Sequence, residues 1–151
     1  MPEEKSNIRR FLEQERGQFA WNCIQEIKKL PPSEQAEYRT RALTFNQMVH
    51  INGLGATLGF LKAKATKEQK TLNAYGYLLQ HLTAWMHQCC FLEGLGQEFD
   101  ALLLWVLEEA DREAYRRATA ECLAFGDWLR RFAEAELSKE GGSQPDSRSG
   151  S

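Results

Sequence analysis

No apolar run in this 151-residue chain reaches the roughly 20 residues that span a bilayer, and the opening Met-Pro-Glu-Glu-Lys holds no apolar leader. Both absences set the expectation of a cytoplasmic protein that stays off membranes. Cys-x-x-Cys pairs are also missing. Cys23, Cys89, Cys90 and Cys122 therefore read as small core residues of a reducing compartment rather than metal ligands or bridges. No convincing run of strand alternation occurs anywhere, which excludes a sheet-based fold. Acid is missing from the middle: between Tyr38 and Leu92 the only carboxylate is Glu68, against Arg39, Arg41, Lys62, Lys64, Lys67 and Lys70. The whole chain has 19 bases and 21 acids, so its net charge of −2 conceals a basic centre flanked by acidic ends. That asymmetry points to a polyanion or an acidic protein surface as partner.

What is present is helical periodicity. At 17.3 kDa, with 42% hydrophobic and 26% charged residues, the chain has the size and composition of one globular domain. The expectation is an all-α, compact, single-domain bundle of about five to seven helices over residues 1–140. A Gly/Ser-rich tail over residues 141–151, too polar to bury itself, should be disordered. Apolar Ile8, Leu12, Phe19, Cys23 and Ile27 make a stripe over residues 4–30, stopped at Pro31-Pro32. Ser33 is a plausible cap for a helix over residues 34–51. Asn52-Gly53 is a natural break, so the next stretch is either a kinked continuation or a separate short helix. Thr66-Lys-Glu-Gln69 has capping-box form and predicts a helix over residues 67–91. Gly94-Leu-Gly96 marks a turn before a short helix over 97–108, and Asp111 caps a last long helix to about residue 138.

The centre of this organisation is the stretch from Gln47 to Ala65. Met48, Ile51, Leu54, Leu58 and Leu61 form one helical face, while Gly53, Gly55 and Gly59 stand where side chains would usually be. Each helical Gly costs roughly 1 kcal/mol relative to Ala, a cost that close approach of another backbone at Gly55 and Gly59 could recover. Asn52, Gly53, Leu54, Gly55 and Gly59 are accordingly read as packing residues. The segment ends in Lys62 and Lys64, which deliver charge to a surface.

Candidate chemistry is thin. Gly53 to Gly59 misses the dinucleotide fingerprint by one residue and follows a helix rather than a strand. His81, His87, Cys89 and Cys90 match no common zinc spacing. Glu108, Glu109 and Asp111 cap and solubilise a helix boundary, without a basic partner nearby. No catalytic residue, cofactor or metal site is expected. The residues placed to touch a phosphate backbone are Arg39, Arg41, Lys62, Lys64, Lys67 and Lys70, with Arg116, Arg130 and Arg131 from the last helix.

Several stretches carry a family resemblance: Arg39-Thr-Arg41, Asn52-Gly-Leu-Gly-Ala-Thr-Leu-Gly-Phe-Leu-Lys-Ala-Lys64, Tyr77-Leu-Leu-Gln-His-Leu-Thr-Ala-Trp85, and the run from Tyr115 through Trp128-Leu-Arg-Arg-Phe-Ala133. Over residues 10–137 the chain resembles the small helical subunit of the Cmr complex, the fifth Cmr family of the type III-B CRISPR RNA-silencing machinery. The resemblance implies a non-catalytic bundle, present in several copies stacked as a filament beside the backbone subunits that hold the guide RNA. Its basic face would line the channel for target RNA. RNA cleavage would belong to the backbone subunits, and nucleotide cyclisation and DNA cleavage to the large subunit. The partners implied are target RNA on the guide-RNA duplex, other Cmr subunits and further copies of itself. The rival reading is an interaction module that holds neighbouring subunits without meeting nucleic acid.

Overall fold

The computed structural model describes residues 2–68, 71–90 and 92–139, with side chains from Arg9 onward. Helix α1 runs Pro2–Ile27, α2 Pro32–Asn52, α3 Leu54–Lys64, α4 Ala74–Cys89, α5 Ala101–Leu104 and α6 Arg112–Glu136. The bundle is all-α but for a two-residue ladder between β1 (Lys67–Glu68) and β2 (Thr71–Leu72), antiparallel with Lys67 opposite Leu72. Among the described residues, no helix is long and apolar enough to cross a membrane.

Helix α4 is the central post. Its buried residues include Leu78, Leu79, His81, Leu82, Thr83, Trp85 and Met86, which point in most directions around the axis. Helices α1, α2, α3 and α6 all pack against it. Trp85 stacks on Phe125 of α6 with ring centroids 5.4 Å apart and a 14° interplanar angle, and Phe19 of α1 closes the cluster at 5.3 Å from Trp85. Such aromatic contacts contribute on the order of 1 kcal/mol each beyond the area they bury. Helix α6 lays Ala118, Cys122, Phe125, Leu129 and Ala133 along one buried stripe across α1 and α2.

Helix starts depart from the expected boundaries for local reasons. Thr66 caps nothing. The segment after it turns back as the short ladder, and α4 begins seven residues later than expected, capped by Asn73, whose Oδ1 accepts from the Gly76 amide at 3.0 Å. The same side chain ties the hairpin shut, accepting from the Thr66 amide at 3.1 Å and donating to the Lys64 carbonyl at 2.9 Å. One asparagine makes three closures that a capping box cannot. Ser33 is not the cap of α2 either. Pro31 holds that position with Pro32 at the first helical residue, where its missing N–H costs nothing. The expected helix over 97–108 is α5 alone, its last turn widened into a π-turn over Trp105–Glu109 and closed by the Ala110 amide on the Trp105 carbonyl at 3.0 Å. The tail over 141–151 and Lys70 lie outside the described residues.

Asn52-Gly53 makes a separate helix rather than a kink: Gly53 has φ +94°, a conformation that a side chain would strain. The close approach expected at Gly55 and Gly59 takes another form. Among the described residues no backbone presses on them: the Tyr115 hydroxyl accepts from the Gly55 amide at 2.9 Å, and none of these residues stands within 4 Å of a Cβ placed at Gly59. The glycine that does permit close helix packing is Gly126. There α2 comes so near that a Cβ would overlap the Asn46 side-chain oxygen and stand 3.0 Å from the Phe45 ring. Asn46 meanwhile donates to the Leu123 carbonyl at 3.1 Å and to Asp127 Oδ1 at 2.9 Å, which locks the α2–α6 crossing. Gly126→Ala should therefore destabilise the protein by about 1–3 kcal/mol, read as a lower urea midpoint. Gly59→Ala should instead leave the midpoint unchanged or raise it.

Candidate nucleic-acid interface

The sequence-expected cations fall into separate groups. The first gathers where the C-terminal turn of α3 meets the hairpin and the loop before α5. Lys62 Nζ pairs with Asp100 Oδ2 at 2.7 Å and stands 5.2 Å from the centroid of Phe99. Lys67 Nζ approaches the same ring at 5.8 Å. Lys64, on the last residue of α3, is exposed and makes no ion pair among the described residues. A half-buried aromatic ring thus carries two ammonium groups, with a third alongside and one carboxylate to offset them.

Arg41 stands apart from solvent to a greater degree. It pairs with Glu37 one turn back at 3.2 Å, and its guanidinium lies 5.9 Å from the Phe60 ring and 5.7 Å from the Tyr75 ring. Phe60 and Tyr75 meet edge to face at 6.0 Å, so three elements converge on this cation. A hydrogen bond to Glu37 holds the Tyr75 phenol above its usual titration range. Arg39 is half-buried, with its Nε lacking a hydrogen-bond partner among the described residues.

The α6 arginines do not join this group. Arg116 is exposed and loosely paired with Glu113 at 3.6 Å. Arg131 lies 5.9 Å from Trp128, beside a groove between α1 and α6, and Arg130 is half-buried. Helix α6 reaches the first turn of α3 through Tyr115, and Arg130 is fifteen residues farther on, about 22 Å along the axis. Among the described candidates, the α3 and hairpin lysines and the far end of α6 therefore lie on separate parts of the surface. Lys62 and Lys67 share the Phe99 ring with Lys64 beside them, Arg41 packs against Phe60 and Tyr75, and Arg130 and Arg131 lie far along α6.

Sequence reasoning missed the polar junctions, because their partners are far apart in the chain. Glu121 receives both Arg16 Nε (2.7 Å) and Arg16 Nη2 (2.9 Å), and its Oε2 also accepts from Trp85 Nε1 at 2.8 Å. The Glu121 bond holds the Arg16 guanidinium protonated even more firmly than usual. A second junction links α1, α2 and α4: His81 bonds Glu26 Oε1 through Nε2 and the Tyr38 hydroxyl through Nδ1, both at 2.8 Å. The Glu26 carboxylate can only accept, so Nε2 donates to it, while Nδ1 and the Tyr38 hydroxyl share the second bond. This array imitates a catalytic triad, yet Tyr38 is fully buried, and burial pushes its phenol well above the usual range.

The cysteines split. Cys23 and Cys122 are buried free thiols as expected; burial pushes Cys122 up to about 12 and Cys23 upward as well, so neither is a ready nucleophile. Cys89 and Cys90 overturn the expectation by bonding to each other. Cys90 is where α4 stops: its backbone is extended (φ −130°, ψ 123°), so the two adjacent side chains need not fan apart as they do within a helix.

The fold and this surface define a small helical bundle protein with a cation–aromatic face at one helix end. The chain belongs to the Cmr5 family: the family model for CRISPR-associated protein (Cas_Cmr5) matches residues 12–136. The crystal structure of a CRISPR-associated Cmr5 family protein from Thermus thermophilus is similar throughout, with a TM-score of 0.64 and 26% identity. That match covers 82% of this chain and 97% of the other.

Glu26 supplies a pH test of the buried junction. Its carboxyl is held below the usual range by the hydrogen bond to His81, so the unfolded chain takes up a proton there before the folded one does. The stabilisation is complete above the ordinary value of 4.5 and is lost as pH falls through the depressed one. Glu26→Gln keeps an acceptor for His81 but cannot titrate. Its urea midpoint should fall less between pH 6 and pH 3 than that of the unaltered chain, and equal acid slopes would contradict the junction.

Proposed function

We propose that this chain is a non-catalytic small subunit of a multisubunit Cmr ribonucleoprotein, and that Lys62, Lys64 and Lys67 touch the sugar–phosphate backbone of target RNA held on the guide. The observation that carries this reading is the pair of ammonium groups flanking Phe99, with Lys64 exposed beside them. Cations held in place by one ring suit a sugar–phosphate backbone, whose charge they offset whatever the bases. Arg41, packed against Phe60 and Tyr75, stiffens the α3 side of this surface rather than reaching out. Absence of catalysis is supported by the closed state of the Glu26–His81–Tyr38 array, whose hydroxyl no substrate can meet.

The contact is weak per copy. Two to four phosphate contacts give a salt slope of roughly −0.7 each on single strands, and repetition along a stack raises avidity by about 10²–10⁴. The isolated protein should bind RNA weakly or not at all; tight, salt-resistant binding by the free chain would contradict the mechanism. Reversing Lys62, Lys64 and Lys67 to Glu should leave the fold intact, with a modest fall in thermal midpoint from the new negative charge set against Asp100. It should weaken target-RNA capture by the assembled complex and reduce the steepness of its salt dependence by about 2. Normal capture by the reversed protein would remove RNA from the proposal.

A second reading, a protein-interaction module within the complex, is favoured by different observations. Asp100 already neutralises Lys62, and apolar Ile51, Leu104 and Leu107 are exposed at 70%, 51% and 65%. A separate apolar groove of about 810 Å³ lies between α1 and α6, lined in part by Phe11, Trp21, Trp128 and Phe132. Two dissimilar apolar surfaces on one chain suit a head-to-tail stack of copies, in which each surface meets its unlike counterpart. Ile51→Glu with Leu107→Glu should disrupt assembly without lowering monomer stability. If this pair assembles normally, the stack uses other faces. The two readings separate on RNA crosslinking to the α3 lysines: salt-sensitive crosslinks favour the first, none the second.

A further inference from the structure

The bonded pair Cys89–Cys90 lies where the end of α4 meets α6. Cys90 lines a cleft of about 320 Å³ with Met86, Leu92, Ala114, Arg117, Ala118 and Glu121. The two sulfurs and a Glu121 carboxylate oxygen lie within 4.8 Å of one another, and all three residues are half-buried. We propose that reduction of this bond opens a redox-gated site for a thiophilic divalent cation such as Zn²⁺, with Cys89 Sγ, Cys90 Sγ and Glu121 as ligands.

The chemistry balances in two steps. A dithiol reductant gives two electrons and two protons to the Cys89–Cys90 bond, leaves as its own disulfide, and frees two thiols. Binding of the cation then forms two metal–sulfur bonds and releases both protons to solvent. Two thiolates and one carboxylate make a three-ligand set for Zn²⁺, and the cleft leaves its fourth tetrahedral position to water. Ligands on a tetrahedral Zn²⁺ with bonds near 2.3 Å stand about 3.8 Å apart, so on reduction the two sulfurs swing apart while the Glu121 oxygen already stands within 4.8 Å. Glu121 is already committed to Arg16 and Trp85, but Oε1 accepts only from Arg16 Nη2 and keeps a lone pair. Its existing bonds hold the carboxylate in place, as outer-shell partners of metal ligands do. Arg117, in the same cleft, favours the thiolate forms once the bond is open. The third ligand comes from a helix 31 residues downstream of Cys90, which no local spacing rule would register.

The full-length chain, reduced with a water-soluble phosphine and freed of it, should take up one equivalent of Co²⁺, used as an absorbing stand-in for Zn²⁺. Thiolate-to-cobalt charge transfer and intense tetrahedral ligand-field bands should appear, and Zn²⁺ should erase them. The untreated, oxidised chain should give neither. Cys89→Ser with Cys90→Ser should abolish the bands, and Glu121→Gln should weaken binding about 10-fold or more while keeping both the sulfur bands and the circular dichroism spectrum of the natural chain. Should the double variant misfold, maleimide blocking of the reduced natural chain, mapped by mass to Cys89 and Cys90 and not to buried Cys23 or Cys122, must give the same loss. Cobalt bands equal in oxidised and reduced protein, their absence after reduction, or unchanged affinity in Glu121→Gln would each overturn the proposal.

Discussion

The Glu121 carboxylate is the constraint on which the rest of the bundle is hung. It accepts a two-pronged bond from Arg16 on α1 and an indole N–H from Trp85 on α4, while standing on α6. Three helices are thereby fixed in both register and distance by one side chain. The Arg16–Glu121 pair is mostly out of solvent, with side-chain exposures of 15% and 14%. Removing either partner would leave a nearly buried charge, a loss of about 3 kcal/mol or more. Directly beneath, the Phe19–Trp85–Phe125 cluster supplies apolar area. The ionic junction sets orientation and the rings supply burial, so neither alone specifies the packing.

The surface proposed to meet RNA depends on that frame indirectly. Helix α3 carries its lysines at one end because Gly53 breaks the chain and Tyr115 holds the first turn of α3 through the Gly55 amide. With α3 anchored there and Asn73 fastening its other end at the Lys64 carbonyl, Lys62 and Lys64 are presented from a rigid helix. Lys67 is added by the hairpin and Phe99 by the loop before α5. Three segments contribute to one small surface, and Arg130 and Arg131 are kept from it by the length of α6.

Most of the helices could be read from apolar periodicity, and their stripes from the same spacing. What periodicity could not supply were starts and stops. Thr66-Lys-Glu-Gln69 meets every local requirement of a capping box, yet Asn73 wins because its side chain closes the hairpin and caps α4 together. The glycines mislead in a similar way. Gly55 and Gly59 look like a packing notch one turn apart, while the notch that is used, Gly126, is a lone glycine in the long α6 stripe. A lone glycine signals nothing until its neighbour on the facing helix is known. The Cys89–Cys90 bond was hidden too, since its formation depends on the helix ending between the two residues.

By itself the sequence determined the helical class, the positions of the long apolar stripes, the break at Gly53 and the basic character of the middle third. These depend on interactions within a few residues, where spacing along the chain is spacing in space. Only the tertiary structure decided which cations share a surface, which are neutralised by Asp100 or Glu37, and which carboxylate joins three helices. Apart from the local Arg41–Glu37 pair, those outcomes rest on partners some 40 to 100 residues apart, brought within 3 Å by packing. Composition counts such charges but carries no information on where they meet.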